Sequence, residues 1–366
     1  MKTLKTGLLM MAIIATFISC NKQDDQNELF DANLKAGSVI IPNVPVLNPD
    51  DCGELIETPL MAGQTNEVGK ITVWAEGGYL NIKYSITNTE WGICETHLSV
   101  KNKANEIPHN NAGNPKIGQF EKIDTFVLPG VSEKTYQFPM NGFTNFYIAA
   151  HAVVKTQTGE ECLALAELEA MIPIELVNID DIVYSKVNSY YDLYLSNAGE
   201  FNGTHLAWCA DNNGRDVDFN TANLISSYST TFDLSQVVPN PANLPYLNYL
   251  MNTHYPAYSF PVIQACIWTL MNGSYTNPSG GLNLTDVQIV EKNTVMADVM
   301  ANGGGFIPGP SDYLVILVHS GNKTLYQNIF FLYKKCTPIY SSETAWGAGS
   351  QFPGNNWAMY FGYCAQ

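Results

Sequence analysis

The stretch from Lys70 to Ile86, KITVWAEGGYLNIKYSI, consists of two alternating apolar–polar runs that meet at Glu76-Gly77-Gly78. A period of two sends successive side chains to opposite faces, and paired glycines supply the positive φ of a tight hairpin. This part of the chain is therefore committed to antiparallel β structure. ICETHLSV and NFYIAAHAVV read as two further strands, separated by a Pro-, Gly- and Asn-rich loop around IPHNNAGNPKIGQF. With 366 residues, 46% of them apolar, the chain can bury a sizeable core and is long enough for two folded units. Its formal charge of −16, with Arg215 as the only arginine, excludes nucleic acid as a partner, because phosphate binding needs clustered Lys and Arg.

Residues 1–20 have the layout of a targeting segment. Lys2 and Lys5 supply a positive end, Leu8 to Phe17 is apolar but too short to cross a bilayer, and the segment closes on FISC. It resembles a bacterial lipoprotein signal, which implies that Cys20 is lipidated and becomes the mature N-terminus. The tract that follows, NKQDDQNE, resembles the signal that sends Bacteroidetes lipoproteins to the outer face of the outer membrane. The resemblance implies an extracellular, lipid-anchored protein. Residues 21–51, with Pro42, Pro45 and Pro49, read as a tether.

Beyond Cys20 there are seven cysteines: Cys52, Cys94, Cys162, Cys209, Cys266, Cys336 and Cys364. Export to an oxidising compartment predicts that some of them pair, and the odd number leaves at least one outside any intramolecular disulfide. No close CxxC spacing suggests zinc, and neither a metal nor a cofactor is expected. Glu95 and His97 share a strand face, and His151 lies in another strand. These read as hydrogen-bonded histidines in or beside a core rather than as a metal site.

The first region resembles a β-sandwich module of exported bacterial proteins through the phrases WGICETHLSV, NPKIGQF, YIAAHAVV and, at the far end, ETAWGAGSQFPGNNWAMYFGY. In that module the last phrase directly follows the HAVV strand, whereas here roughly 160 residues intervene. The resemblance implies a discontinuous sandwich over 52–176 plus 335–366, with a second domain at 177–334 inserted into it. Cys162 and Cys336 flank the junction and are candidates for a disulfide.

Within the insert, THLAWCADNN reads as a strand running into a polar turn, and DYLVILVHS with TLYQNIFFLYKK as a closing hairpin. SFPVIQACIWTLMN and DVQIVEKNTVMADVMANGGG read as helices. On a helical wheel Ile263, Ile267, Leu270 and Met271 form the apolar arc, with Gln264 inside it. Cys266 falls on the opposite flank, and Ala265, Thr269 and Asn272 on the outer face. An inward glutamine must find partners, since an unsatisfied buried amide costs about 1–3 kcal/mol. A backbone contact would satisfy it. So would a chemical solution, in which a cysteine thiol displaces ammonia from the carboxamide to give an internal thioester.

A cysteine at the end of a strand in AWCADNN, followed on a later helix by IQACIW, resembles the thioester domains of bacterial surface adhesins. The Asn-Tyr-Leu-Met run and the ANGGGFIPG turn add to the resemblance. It implies Cys209 as nucleophile, Gln264 as acyl donor, and shielding of the bond by Trp208 and Trp268. His205 or His254 would be candidates for proton transfer. Ala210 departs from the larger apolar residue common after the cysteine. A Cys209–Cys266 disulfide and an unreacted Cys209 remain alternatives.

The expected fold is mainly β, a β-sandwich with an inserted α+β thioester-like domain. The expected function is a surface-anchored binding protein, adhesive, capturing a protein amine or a hydroxyl once rather than turning over substrate. The rival is non-covalent glycan binding for nutrient capture, using aromatic platforms. A hydrolase finds no support, since neither GxSxG nor HExxH occurs.

Overall fold

The computed structural model describes residues 52–185, 187–276, 282–322 and 324–366. The signal segment with Cys20 and the tether to residue 51 lie outside the described residues. In chain order the strands and helices are β1 (Ile56–Ala62), β2 (Asn66–Glu76), β3 (Tyr79–Ile86), β4 (Trp91–Lys101), β5 (Lys122–Thr125), β6 (Glu133–Pro139) and β7 (Asn145–Cys162). They continue with α1 (Leu165–Met171), β8 (Val177–Tyr184), β9 (Tyr191–Ser196), β10 (Gly203–Cys209), β11 (Thr221–Ser226) and α2 (Leu244–Thr253). Then come α3 (Phe260–Asn272), α4 (Asp286–Asn302), β12 (Leu314–His319) and β13 (Ile329–Tyr333). The last strands are β14 (Cys336–Gly347), β15 (Ser350–Gln351) and β16 (Met359–Cys364).

The chain divides into two compact units. The first runs to Gly159 and resumes at Pro338; the second is Glu160–Thr337. The inserted unit is thus wider than the 177–334 read from sequence, because α1 and the ends of β7 and β14 belong to it.

The first unit is a mainly antiparallel sheet in the order β15-β16-β7-β14-β1-β2-β3-β6, with β4 added to β7 and β5 to β4. Its hairpin between β2 and β3 turns at Gly77 and Gly78, whose φ of 60° and 81° an L side chain would resist. Alternate residues of β2, β3 and β7 (Ile71 and Val73, Leu80 and Ile82, Ile148 and Ala150) share one core. Ala149 on the other face of β7 packs with Trp346, Phe352 and Tyr360 in a second cluster. Both faces of β7 are covered there, which is why its sequence reads as a nearly continuous apolar run. Cys52 and Cys364 are joined by a disulfide that ties β16 to the start of the described chain.

The second unit is a closed barrel, β10-β13-β12-β11-β8-β9. Along its strands Ala207 and Cys209, Ile316 and Val318, and Ile329 and Phe331 face one core. The intervening Trp208, Val315, Leu317 and Phe330 pack outward with α2, α3 and α4. Every residue of β12 is buried, as strands covered on both faces require. Barrel closure was not foreseen from sequence, where these segments give only strands and helices.

Pro261 sits in the first turn of α3, and Gly273 ends the helix with φ 79°. Ser259 occupies its N-cap position, but the side chain makes no capping hydrogen bond. The helix is buried nearly all round. Ala265, expected on the outer face, is fully buried, and α3 packs against α4 as well as against β10. Thr285 and Gln288 form a reciprocal capping box at the start of α4.

Candidate functional site

The site forms where β10 outruns its neighbour. β9 begins at Tyr191, opposite Ala207, so no β9 residue lies beside Cys209. On the other edge the Ala210 N–H donates to the Asn328 carbonyl at 2.9 Å. In an alternating ladder the peptide groups of Cys209 therefore point to the open edge. Gln264 of α3 fills that gap. The Cys209 N–H donates to Gln264 Oε1 at 3.2 Å, and Gln264 Nε2 donates to the Cys209 carbonyl at 2.9 Å. Both residues are buried, Gln264 completely. A second tie, from the Asn212 N–H to Asn272 Oδ1 at 3.1 Å, fixes the end of α3 to the turn after β10.

This clamp has chemical content. An N–H already aimed at the carboxamide oxygen is a donor placed where negative charge would build if a sulfur attacked the carbonyl carbon. The carbonyl that holds Nε2 orients the amine that would leave.

The Cys209 thiol donates to Tyr191 Oη at 3.5 Å. Tyr191 is buried in the barrel core, and its ring packs 5.0 Å from that of Tyr184 and 4.8 Å from that of Tyr190. Burial first, and then Cys209, hold the Tyr191 hydroxyl far above the usual phenol range. Tyr190 is pushed up to about 12, again mainly by burial. Its ring lies 5.9 Å from Trp268, which shares the apolar cluster of Cys209.

Trp208 stands on the opposite face of β10, stacked on Phe330 at 5.7 Å and edge-on to Tyr255 at 5.0 Å. The structure thus sets Trp268 and the tyrosines, not Trp208, on the sulfur's side of the strand. Cys266 points away from Cys209: its thiol reaches the Lys292 carbonyl of α4 at 3.8 Å, and burial pushes it up to about 12. Neither Cys209 nor Cys266 is in a disulfide. Cys162 and Cys336 are joined in one.

His205 lies four residues before Cys209, about 13 Å along an extended strand. Its Nε2 is 2.9 Å from the Phe201 carbonyl. His254 pairs with Asp298 at 2.8 Å. In the first unit, His97 Nδ1 and His151 Nδ1 are 3.1 Å apart, with Glu95 3.9 Å from the other nitrogen of His97. Burial, then His97, lowers His151 to about 3, so it stays neutral in its place against Trp346. Among the described residues one acid–cysteine group has ligand atoms close enough for a metal: Glu160, Cys162 and Cys336. Its two sulfurs are already spent on each other.

The sequence reading did not single out Tyr191 or Asp211. Asp211, two residues past the cysteine, is buried and accepts from the Asn213 N–H at 3.0 Å and from Gln327 Nε2 at 2.7 Å. Burial raises its carboxyl above the usual range. The signal for Tyr191 was the alternation Tyr191, Leu193, Leu195, but only the pairing register with β10 brings it to the sulfur.

No protein-family model matches the chain, and no curated protein sequence matches it. Among solved structures it is similar to the N-terminal thioester domain of a surface protein from Clostridium perfringens, with TM-score 0.30, 12% identity, and coverage of 44% of this chain and 99% of that one. It is also similar to the pilus-presented adhesin Spy0125 (Cpa), with TM-score 0.28, 9% identity, and coverage of 68% of this chain and 64% of that one.

Proposed function

We propose that the second unit is a single-turnover capture module on a surface-anchored binding protein, with Cys209 as nucleophile and Gln264 as acyl donor. The reading rests above all on the carboxamide of Gln264 docked by two hydrogen bonds on the peptide of Cys209, whose own side chain is a buried thiol. Attack of Sγ on the carboxamide carbon would form the C–S bond, break the C–N bond and release ammonia. An amine or hydroxyl on a target would then displace the sulfur, leaving a stable amide or ester. Lipid anchoring at Cys20 and outward display are carried by the N-terminal sequence, and an adhesive role follows from joining such an anchor to a covalent trap.

The test is the intact mass of the soluble chain beginning after Cys20, before and after methylamine. A mass short by one ammonia, converted to a methylamine adduct at Gln264, is the expected result. An unreacted carboxamide with no adduct would remove the reading.

One observation favours the second reading, non-covalent glycan binding. The first unit has a cleft of about 700 Å³ lined by Trp91, Tyr340, Glu90, Lys155 and Gln157. Aromatic faces beside polar side chains suit a sugar ring. Sugar-dependent thermal stabilisation that survives Cys209→Ala would favour it.

A further inference from the structure

We propose that Tyr191 is the acid that protonates the Cys209 sulfur as it leaves, and that Tyr184 recharges it from solvent. The inference rests on the thioester reading above and assigns a residue that reading does not need.

The geometry is a chain of three groups running outward. Cys209 Sγ and Tyr191 Oη are 3.5 Å apart, within sulfur hydrogen-bond reach. The Tyr191 ring in turn packs against that of Tyr184, with 5.0 Å between centroids. Cys209 and Tyr191 are 3% and 2% exposed, whereas Tyr184 is 56% exposed. The three cross from the barrel interior to water, with one hydroxyl in between.

The chemistry needs such a path. A thiolate expelled into an apolar barrel would be a buried, unpaired anion, which is costly. Giving it a proton as the C–S bond breaks avoids that charge. In the capture step the amine nitrogen bonds to the Gln264 carbonyl carbon, and the bond from that carbon to Sγ breaks. Sulfur takes the Tyr191 proton, Tyr191 takes one from Tyr184, and Tyr184 takes one from water. The attacking nitrogen gives up one proton to water, so the proton count closes and Cys209 ends as a thiol. The Tyr191 phenol carries a proton and lies within reach of the sulfur, whereas His205 and His254, the two histidines considered for proton transfer, are engaged elsewhere.

The experiment compares methylamine capture rates, by intact mass, in the wild-type chain beginning after Cys20 and in Tyr191→Phe, Tyr184→Phe and Tyr194→Phe. Phenylalanine keeps the ring and removes the hydroxyl. Tyr191→Phe should still show the mass deficit of one ammonia but capture about 100-fold more slowly, the scale of general acid catalysis. The wild type should be slowed in D2O, and Tyr191→Phe should lose that slowing. Tyr184→Phe should slow capture several-fold, and Tyr194→Phe, on the same strand as Tyr191 but three residues farther along, should not. A Tyr191→Phe rate equal to wild type would overturn the relay and leave the thioester standing. If the wild type gives no adduct, the thioester reading itself fails and the relay with it. If Tyr191→Phe does not fold, the exposed Tyr184 decides: an unchanged Tyr184→Phe rate overturns the relay.

Discussion

The second unit uses the same clamp twice. Asn252 of α2 accepts from the Tyr313 N–H at 2.7 Å and donates to the Tyr313 carbonyl at 2.9 Å, just ahead of β12. Gln264 of α3 does the same for Cys209 at the end of β10. In both, a side-chain amide completes the hydrogen bonding of a peptide at a strand end and pins a helix to the barrel. The difference lies in what surrounds the clamp. Asn252 is only partly buried and holds a tyrosine; Gln264 is fully buried and holds a cysteine whose thiol meets a second hydroxyl. The docking of an amide on a peptide is thus a general structural device, and the reactivity proposed for Cys209 would have to come from the sulfur and its surroundings.

The largest separation between the two clamps should be all-or-none. Cys209→Ala and Gln264→Ala should abolish the methylamine adduct entirely, while Asn252→Ala leaves it intact, each read by intact mass. An adduct surviving Gln264→Ala would mean that another carboxamide carries the chemistry. Stability should separate them next. Gln264→Ala strands a buried N–H and C=O and opens a cavity, so it should cost about 3–5 kcal/mol in denaturant unfolding. The half-buried Asn252→Ala should cost about 1–2 kcal/mol. Equal losses would show that burial does not distinguish them. Placing a thiol at the second clamp sharpens the test further: Tyr313→Cys should give no adduct at Asn252, and an adduct there would show that the clamp alone suffices.

The smallest effect concerns pH. Burial raises Asp211 in the folded state above its unfolded value. The folded chain therefore holds more protons across that window, and Asp211 subtracts stability as pH rises from the unfolded carboxyl range through the folded one. Asp211→Asn, which keeps an acceptor for Asn213, should be modestly more stable than wild type at neutral pH, with a flatter profile near the first unfolding transition.

Much of this was legible in the sequence because it depended on local period. Alternation gave the β2–β3 hairpin, and the wheel put Gln264 inward with Cys266 on the far flank. What the wheel could not show was the burial of Ala265, which depends on the elements packed around α3, α4 among them, and no single helix contains that information. Trp208 was grouped with Trp268 because both are aromatic, yet strand alternation sends it to the helix layer, one residue from the cysteine and on the other face. Tyr191 depended on cross-strand register, which is set by where β9 starts rather than by any motif.

The Cys162–Cys336 bond spans a sequence separation of 174 and turns the second unit into a covalently closed loop. A pull on Gln264 would leave that loop along two backbone arms at once, toward Cys162 and toward Cys336, and the two arms are welded where they meet. A single peptide cut within the loop would leave no fragment able to drift away, and tension on one arm could not draw the barrel out like thread from a spool. Under the capture reading proposed above, this weld would matter as a mechanical fastener as much as a contributor to folding stability.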